Sequence, residues 1–258
     1  MSTDNAWDDE NGRGAQLYQQ GRYAEAEQAF RAALEAAEQL GPDDVRVAVV
    51  LNNLASLCHN ERKIEEAQAL YERALVIRHR VLGANHPMVA QSLNNLSSLY
   101  REVGRHNEAE QFSRQAVGIA EAVFGSDHYR ITNCLNNLAA VYMAQARYSE
   151  AEQIFQRTLT IRRRFFGDND VTVATTMCGL AELASAQARY ADAESLFRRA
   201  LAIREEQLGG EHPSVAVVLE KFAVLLRQTA RDEEAVALEA RAGNIRVHAM
   251  KIRSSDRV

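Results

Sequence analysis

The sequence predicts an all-α protein built as a solenoid of about six helical hairpins. Three observations lead to this prediction: a repeat of 42 residues, an apolar stripe with helical spacing in every copy, and only three prolines in 258 residues. The repeat is visible because Leu51, Leu93 and Leu135 each open a similar stretch, LNNLASL, LNNLSSL and LNNLAAV. Repeats of this length stack side by side, since a single copy cannot bury its apolar face alone.

Each copy contains two amphipathic helices. In the first, Leu93, Leu96, Ser97 and Tyr100 recur at i, i+3, i+4 and i+7, the spacing of one helical face. In the second, a column of small residues stands four positions before a column of large aromatic ones, so that an aromatic ring fills the space beside each alanine. The small column is Ala67, Ala109, Ala151, Ala193 and Ala235, and the aromatic column is Phe30, Tyr71, Phe155 and Phe197.

Turn signals set the predicted boundaries. The motifs GRY, RKI, GRH and ARY separate the two helices of a hairpin, with Gly21 and Gly104 suited to a helix terminus. Pro87 and Pro213 stand beside a helix start, where a missing backbone N–H does no harm. The predicted hairpins are residues 12–41, 45–83, 87–125, 129–167, 171–209 and 213–250, forming one domain over residues 12–250 between an acidic N-terminal tail, 1–11, and a C-terminal tail, 251–258.

The composition of the chain disfavours several classes of function. A net charge of −5 and a pI near 5.9 disfavour nucleic-acid binding, which needs a concentrated basic surface. The chain has no run of 18 apolar residues and no apolar segment after its acidic start, so neither a membrane span nor a secretion signal is predicted. We therefore expect a cytoplasmic protein.

No catalytic or metal-binding chemistry is predicted. The sequence lacks phosphate-binding-loop, zinc-protease and serine-hydrolase motifs, and its three cysteines have no metal-ligand spacing, so free thiols are expected. Histidines recur in one column that also holds aspartates, which indicates helix capping rather than a metal site. This column is Asp44, His86, His128, Asp170 and His212. We expect no enzyme activity, no cofactor and no metal.

The motifs LNNLA, EAE, RAL.IR and LG..HP.VA resemble tetratricopeptide repeats of the kinesin light chain type, from about Gly12 to Ala249. This resemblance implies a right-handed superhelix whose concave groove, lined by the first helix of each hairpin, binds extended peptide segments of partner proteins. Kinesin light chains carry a heptad coiled coil before their repeats, whereas about a dozen residues precede the repeats here. The resemblance therefore predicts a stand-alone array of the bacterial style, without motor attachment.

Paired asparagines are the main candidate site. Asparagine is a mediocre helix former, yet pairs recur off the apolar stripe, where the family places groove residues and where an amide can donate to and accept from a peptide backbone. The predicted peptide-binding residues are Asn52, Asn53, Asn94, Asn95, Asn136 and Asn137, with Gln91, Ser98, Arg101 and Asn133, together with Ser56, His59 and Met143 on the same face, shaping specificity. The pairs end at Cys178/Gly179 and Glu220/Lys221. In the alternative interpretation, the amides bond neighbouring helices and fix their stacking.

The predicted function is a protein-interaction scaffold or adaptor, and the alternatives are a self-assembling array or a regulatory module of a separately encoded enzyme. Replacing Asn95 and Asn137 with alanine is expected to raise stability and weaken peptide binding. The sixth hairpin, with Glu239 and Gly243 on its second helix, is expected to cap the array. Trp7, in the segment AWDDE, is expected to pack over the first hairpin, or else to occupy a groove until a partner displaces it.

Overall fold

The protein is helical throughout the part of the chain that the structure describes. This computed structural model describes the backbone of residues 3–255 and the side chains of residues 6–248, and within these ranges it contains twelve α-helices, one short 3-10 helix and no strand. The helices are α1 Thr3–Gln19, α2 Tyr23–Glu38, α3 Val45–Asn60, α4 Ile64–Leu82, α5 Pro87–Glu102, α6 His106–Phe124, α7 Thr132–Ala144, α8 Tyr148–Phe166, α9 Val171–Ala186, α10 Tyr190–Leu208, α11 Pro213–Gln228 and α12 Asp232–Ser255. The 3-10 helix, Tyr129–Ile131, precedes α7. The predicted all-α class is confirmed.

Consecutive helices pack as six hairpins, from α1 with α2 to α11 with α12. The chain divides into two compact units, Met1–Ser126 and Asp127–Val258, each containing three hairpins. Within a unit, the second helix of one hairpin also packs on the first helix of the next. Packing in such repeats is local, so each unit buries its own apolar side chains, and the single domain over residues 12–250 stays a prediction.

The N-terminal segment differs from the tail expected over residues 1–11. Helix α1 begins at Thr3, so most of that segment is helical and continuous with the first hairpin. Trp7 is partly buried and packs against the cluster that contains Ala33, Ala37 and Val47. Burying this indole on the hairpin gives the acidic segment a reason to be helical. At the other end α12 extends to Ser255, and the remainder of the expected tail 251–258 lies outside the described residues.

The alternating histidines and aspartates cap the start of the first helix in the second to sixth hairpins, as predicted, and His128 does so at the 3-10 helix that precedes α7. The His86 and His212 Nδ1 atoms each accept a hydrogen bond of 3.1 Å from the backbone N–H two residues later, and Asp44 accepts one of 2.8 Å. His128 and Asp170 make the same contact at 3.1 and 2.7 Å. A side-chain acceptor at this position satisfies one of the unpaired N–H groups of the first turn.

Three buried arginines tie helices together, a role that the sequence interpretation did not assign. Arg78, Arg162 and Arg204 occupy one column of the second helices and are at most 7% exposed. Their Nη1 atoms donate to the carbonyl oxygens of Met88, Thr172 and Ser214, at 3.0, 2.7 and 2.6 Å. Each arginine thereby joins the second helix of its hairpin to the first turn of the next hairpin's first helix.

The sixth hairpin presents a partly polar outer face, as expected for a cap. Ala242 and Ile245 of α12 are buried against α11. Glu239 of α12 pairs with Arg227 near the end of α11 at 2.7 Å, and Gly243 of α12 is exposed.

Candidate functional site: the helix-A face

Within each unit, the first helices of the hairpins form a surface that we call the helix-A face. In the first unit it consists of α1, α3 and α5, and asparagine amides join these helices. Asn53 Nδ2 donates to Asn11 Oδ1 at 2.9 Å, and Asn95 Nδ2 donates to Asn52 Oδ1 at 2.8 Å. In each case, the second asparagine of a pair reaches back to the preceding hairpin.

These bonds leave the two members of a pair with different capacities. Asn52 is only 6% exposed and its amide oxygen already accepts from Asn95, so little of it is accessible to a ligand. Asn53 and Asn95 are half-buried, and among the described residues their Oδ1 atoms accept no hydrogen bond. An amide carries two N–H donors and one carbonyl. Asn53 and Asn95 can therefore hold a neighbouring helix and still contact a peptide backbone.

The remaining predicted asparagines lie at matching positions on α5 and α7. Asn94, Asn136 and Asn137 are all half-buried. The Oδ1 atom of Asn136 is buried and makes no hydrogen bond to any residue that the structure describes. A buried amide oxygen of this kind is costly unless it acquires a donor.

The fifth and sixth hairpins replace the amides with other chemistry. A Cβ atom on Gly179 would come within 2.6 Å of the Phe155 ring, so an asparagine at this position would clash with the core. In the sixth hairpin, Lys221 forms an ion pair with Glu182 of α9. A link from one first helix to the preceding one thus continues where the asparagines stop, which supports a stacking role for the ladder.

Two of the predicted specificity residues are held by the buried arginines. Gln91 Oε1 accepts from Arg78 Nη1 at 3.2 Å, and Asn133 Oδ1 accepts from Arg162 Nη2 at 2.9 Å. Gln91 and Asn133 are exposed, so these bonds orient side chains that remain accessible. Ser98 and Arg101 are half-buried on α5.

A polar pocket of the first unit lies near the C-terminal ends of α3 and α5, one to two helical turns beyond the amides. It has a volume of about 450 Å³ and is lined by Tyr18, Ser56, His59, Asn60, Arg62, Tyr71 and Glu102. Hydrogen bonds fix its shape. Ser56 Oγ and Tyr71 OH are 2.9 Å apart, and His59 Nε2 lies 2.7 Å from Glu102 Oε2.

The electrostatics of the pocket favour a neutral imidazole. Burial lowers the pKa of His59, and the nearby cationic side chains of Arg62 and Arg101 lower this pKa further. Neutral His59 can donate from Nε2 to the Glu102 carboxylate, which also pairs with Arg62. Burial raises the pKa of Tyr71 to about 12, so its phenol stays protonated and available for hydrogen bonding.

Sequence reasoning selected Ser56 and His59 as neighbours of the ladder but missed Tyr18, Tyr71 and Glu102. Tyr71 belongs to the aromatic column, where the other members are phenylalanine, and its hydroxyl was the available signal. The role of Tyr18 has no such signal, because it depends on how α1 packs beside α3.

The described residues offer no metal-binding cluster, since no group of three or more His, Cys, Asp or Glu side chains converges between residues 6 and 248. The three cysteines are free and buried, and burial raises the pKa of each thiol to about 11. Such thiols are poor nucleophiles. In the described part of the chain, no helix is long and apolar enough to cross a membrane.

Comparison with known families identifies this architecture. The family model described as tetratricopeptide repeat matches residues 9–75, 46–122, 130–206 and 174–246, and the chain belongs to this family. A comparison with curated protein sequences gives no significant match. Repeat arrays of this class present extended binding surfaces, and the chain has the fold of a protein-interaction scaffold.

Solved structures of similar fold include kinesin light chain-like proteins, as the sequence motifs predicted. BtubC (BKLC) from P. vanneervenii is 23% identical, with a TM-score of 0.67 over 86% of this chain and 90% of that one. A putative kinesin light chain from Podospora anserina with nearly identical repeats is also 23% identical, with a TM-score of 0.59 over 80% and 97%. A Rap protein in complex with Competence and Sporulation Factor is 16% identical, with a TM-score of 0.69 over 97% and 78%.

Proposed function

We propose that the protein is a scaffold or adaptor that binds an extended peptide segment of a partner protein along the helix-A face of its first unit. The observation that carries the proposal is a polar pocket at the C-terminal ends of α3 and α5, one to two helical turns beyond Asn53 and Asn95, whose amide oxygens accept no hydrogen bond among the described residues. The similarity in fold to a Rap protein complexed with Competence and Sporulation Factor supports a binding role for this array. The proposed role is non-enzymatic and cytoplasmic, and regulation of a separately encoded enzyme would use the same surface.

In this proposal, each amide uses one N–H to hold the neighbouring helix and its remaining N–H and carbonyl to bind the peptide. One N–H of Asn95 holds Asn52, which fixes the rotamer of the side chain. The carbonyl and the second N–H then contact the peptide backbone, which makes recognition independent of peptide sequence. A side chain of the peptide enters the polar pocket and supplies selectivity. Asn52 acts as a support for Asn95 rather than as a direct contact.

The test uses peptides selected from a random linear library on the wild-type protein. Replacing both Asn53 and Asn95 with alanine should weaken binding of a selected peptide by about ten- to a hundredfold, since each lost amide contact is worth about 0.5–1.5 kcal/mol. Asn107→Ala, an exposed asparagine on α6, is the matched control and should change nothing. Isothermal titration on folded variants measures the affinities. If the double variant binds the peptide with normal affinity, the amides act only in helix stacking and the proposal is wrong.

The hydrogen bond from Asn95 to Asn52 changes the effect on stability that we expect for Asn95→Ala. Asn95→Ala was expected to stabilise the helix, but it leaves the buried Asn52 oxygen without its donor. We now expect a loss of about 1–2 kcal/mol. A double-mutant cycle of Asn52→Ala and Asn95→Ala, followed by urea unfolding, should give a coupling energy of about 1 kcal/mol. Strictly additive effects would show that the bond contributes nothing.

Self-association is the second candidate, and one observation favours it. Phe165 and Phe166 are 45% and 42% exposed and cluster with Tyr129 in the second unit. Exposed aromatic groups of this kind are common at protein interfaces. Light scattering at two concentrations tests this function, because an increase in mass with concentration is required.

A further inference from the structure

An open groove separates α4 from α6, the second helices of the second and third hairpins, and does not belong to the helix-A face. Its volume is about 740 Å³. Leu75 and Val76 form one wall, Phe112 and Ile119 form the other, and Leu93 of α5 lies at the base. Val76 is 61% exposed, the largest exposure among the large apolar side chains described.

Small residues of the third hairpin keep the groove open. Gly118 lies within α6, where the same position of α4 holds Val76. Its backbone is not in the left-handed conformation that favours glycine, and a Cβ atom there would meet nothing within 4 Å. Glycine inside a helix is destabilising relative to alanine, so neither packing nor backbone geometry accounts for it. Close approach of a ligand to the helix would account for it.

Polar side chains gather where α4 ends. His79 and Asn85 line the groove at this end, and Gln115 lines it from the middle of α6; none of these side chains makes a hydrogen bond to another described residue. Arg80 also lines the groove and pairs with Asp43, which occupies only some of its five N–H donors. No acidic side chain lines the groove. One end therefore offers donors to an anion, whereas the other end is apolar.

The corresponding groove of the second unit has a different character. It lies between α10 and α12, has a volume of about 450 Å³ and is lined by Glu205 and Glu234. Glu205 stands at the repeat position of His79, and Glu206 at that of Arg80. The basic end of the first groove is therefore not imposed by the repeat architecture.

We propose that the α4–α6 groove binds a medium-chain aliphatic carboxylate. The hydrocarbon chain lies between Val76 and Ile119 and against Gly118, and the carboxylate is received by His79 and Arg80. The volume is within the range of small-molecule sites, about 300–1,000 Å³. Leu75 and Arg80 are about 7 Å apart along the helix axis, a separation that a carbon chain with one charged end spans.

Decanoate, below its micelle concentration, is the probe. Titration of the full chain should shift the methyl resonances of Val76 and Ile119, and affinity should rise about fourfold for each methylene from octanoate to decanoate. Decanol, which has the same chain without the charge, should bind about tenfold more weakly. Equal binding of decanol and decanoate would overturn the proposal, because it would indicate a general apolar surface.

Variants test the location. Gly118→Leu places a side chain in the groove, at a position where a Cβ atom meets nothing within 4 Å, and should abolish decanoate binding while leaving peptide binding at the helix-A face unchanged. Gly243→Leu, at an exposed helical glycine of α12 with nothing within 4 Å, is the matched control and should bind decanoate normally. A second variant, His79→Glu with Arg80→Glu, introduces the residues of the second unit and should weaken binding at least tenfold.

Two results would reject the site. The first is unchanged decanoate affinity in both the Gly118→Leu and the His79→Glu/Arg80→Glu variants. The second is an average molecular mass that grows with concentration for the wild type, while the Gly118→Leu variant stays monomeric. The groove would then be an interface between copies of the chain.

Discussion

The turn inside each hairpin depends on one residue in the left-handed region of backbone space. Gly21 and Gly104 have φ values of 70° and 79°, as suits glycine. The same column holds residues with side chains in the other four hairpins. These are Arg62, Ala146, Ala188 and Ala230, with φ between 57° and 63°. An L-residue in this conformation costs roughly 1–2 kcal/mol.

Ala188→Gly should therefore stabilise the protein by about 0.5–1 kcal/mol, because relief of the backbone strain exceeds the entropy that glycine adds to the unfolded chain. The urea midpoint measures the change. Ala202→Gly, at an exposed position within α10, is the control and should destabilise by about 1 kcal/mol. A lower midpoint for Ala188→Gly than for the wild type would contradict this account.

For single residues, contacts with near neighbours in the sequence could be predicted, whereas hydrogen bonds between residues far apart in the sequence could not. The capping roles of His86 and Asp170 depend on a neighbour two residues away, so residue type and helix start were enough to predict them. The bond from Asn95 to Asn52 joins residues 43 positions apart. The sequence placed both on the same face, but which amide meets which depends on how the helices pack.

At the scale of helices, the buried arginines connect the second helix of one hairpin to the first helix of the next. Arg162 Nη1 donates to the Thr172 carbonyl at 2.7 Å and to Thr176 Oγ1 at 2.9 Å, while Nη2 reaches Asn133. Burial lowers the pKa of this guanidinium to about 10, so the group remains charged at neutral pH. A charged donor strengthens each bond, which compensates for removal of the charge from water.

Arg162→Met should lower the free energy of unfolding by about 2–4 kcal/mol, because it leaves buried carbonyl and hydroxyl groups without a donor. Urea unfolding followed by circular dichroism provides the measurement. Its neighbour Arg163 is exposed and pairs only with exposed Asp168, so Arg163→Met should change stability by less than about 1 kcal/mol. Equal effects of the two substitutions would show that the buried bonds add no net stability.

Periodicity predicted the helices themselves, since ten of them lie in copies whose apolar stripes repeat with the 42-residue period. Helix α1 was placed too late, because its first turns are acidic and carry no stripe. Its helical start depends on Trp7 packing across the hairpin, a contact that no local pattern encodes. The arginine column was visible in RAL.IR, but its burial was not, since arginine is usually exposed.

On the scale of the whole molecule, the two units contain separate natural probes. Trp7 is the only tryptophan and packs in the first unit. Cys178 is 5% exposed in the second unit. Its pKa of about 11 gives about a hundredfold less thiolate at pH 8 than the ordinary value of 9.0, so alkylation requires unfolding.

Arg162→Met should therefore lower the urea midpoint for alkylation of Cys178 more than the midpoint for Trp7 fluorescence, because stability in repeat arrays is set by each repeat and its nearest neighbours. Mass spectrometry of labelled peptides and emission spectra give the two midpoints. Equal shifts would instead identify a single cooperative transition.

The arginine bonds have a consequence for the response to dissolved ions. Surface pairs such as Lys63 with Glu27 weaken as salt is added, since the screening length falls to about 3 Å at 1 M. The buried arginines donate instead to uncharged backbone carbonyl and hydroxyl groups, and the arginine side chains themselves are at most 7% exposed to the electrolyte. Changes in ionic strength can therefore alter the charge interactions on the outside of a unit while the hydrogen bonds that hold its hairpins in register remain intact.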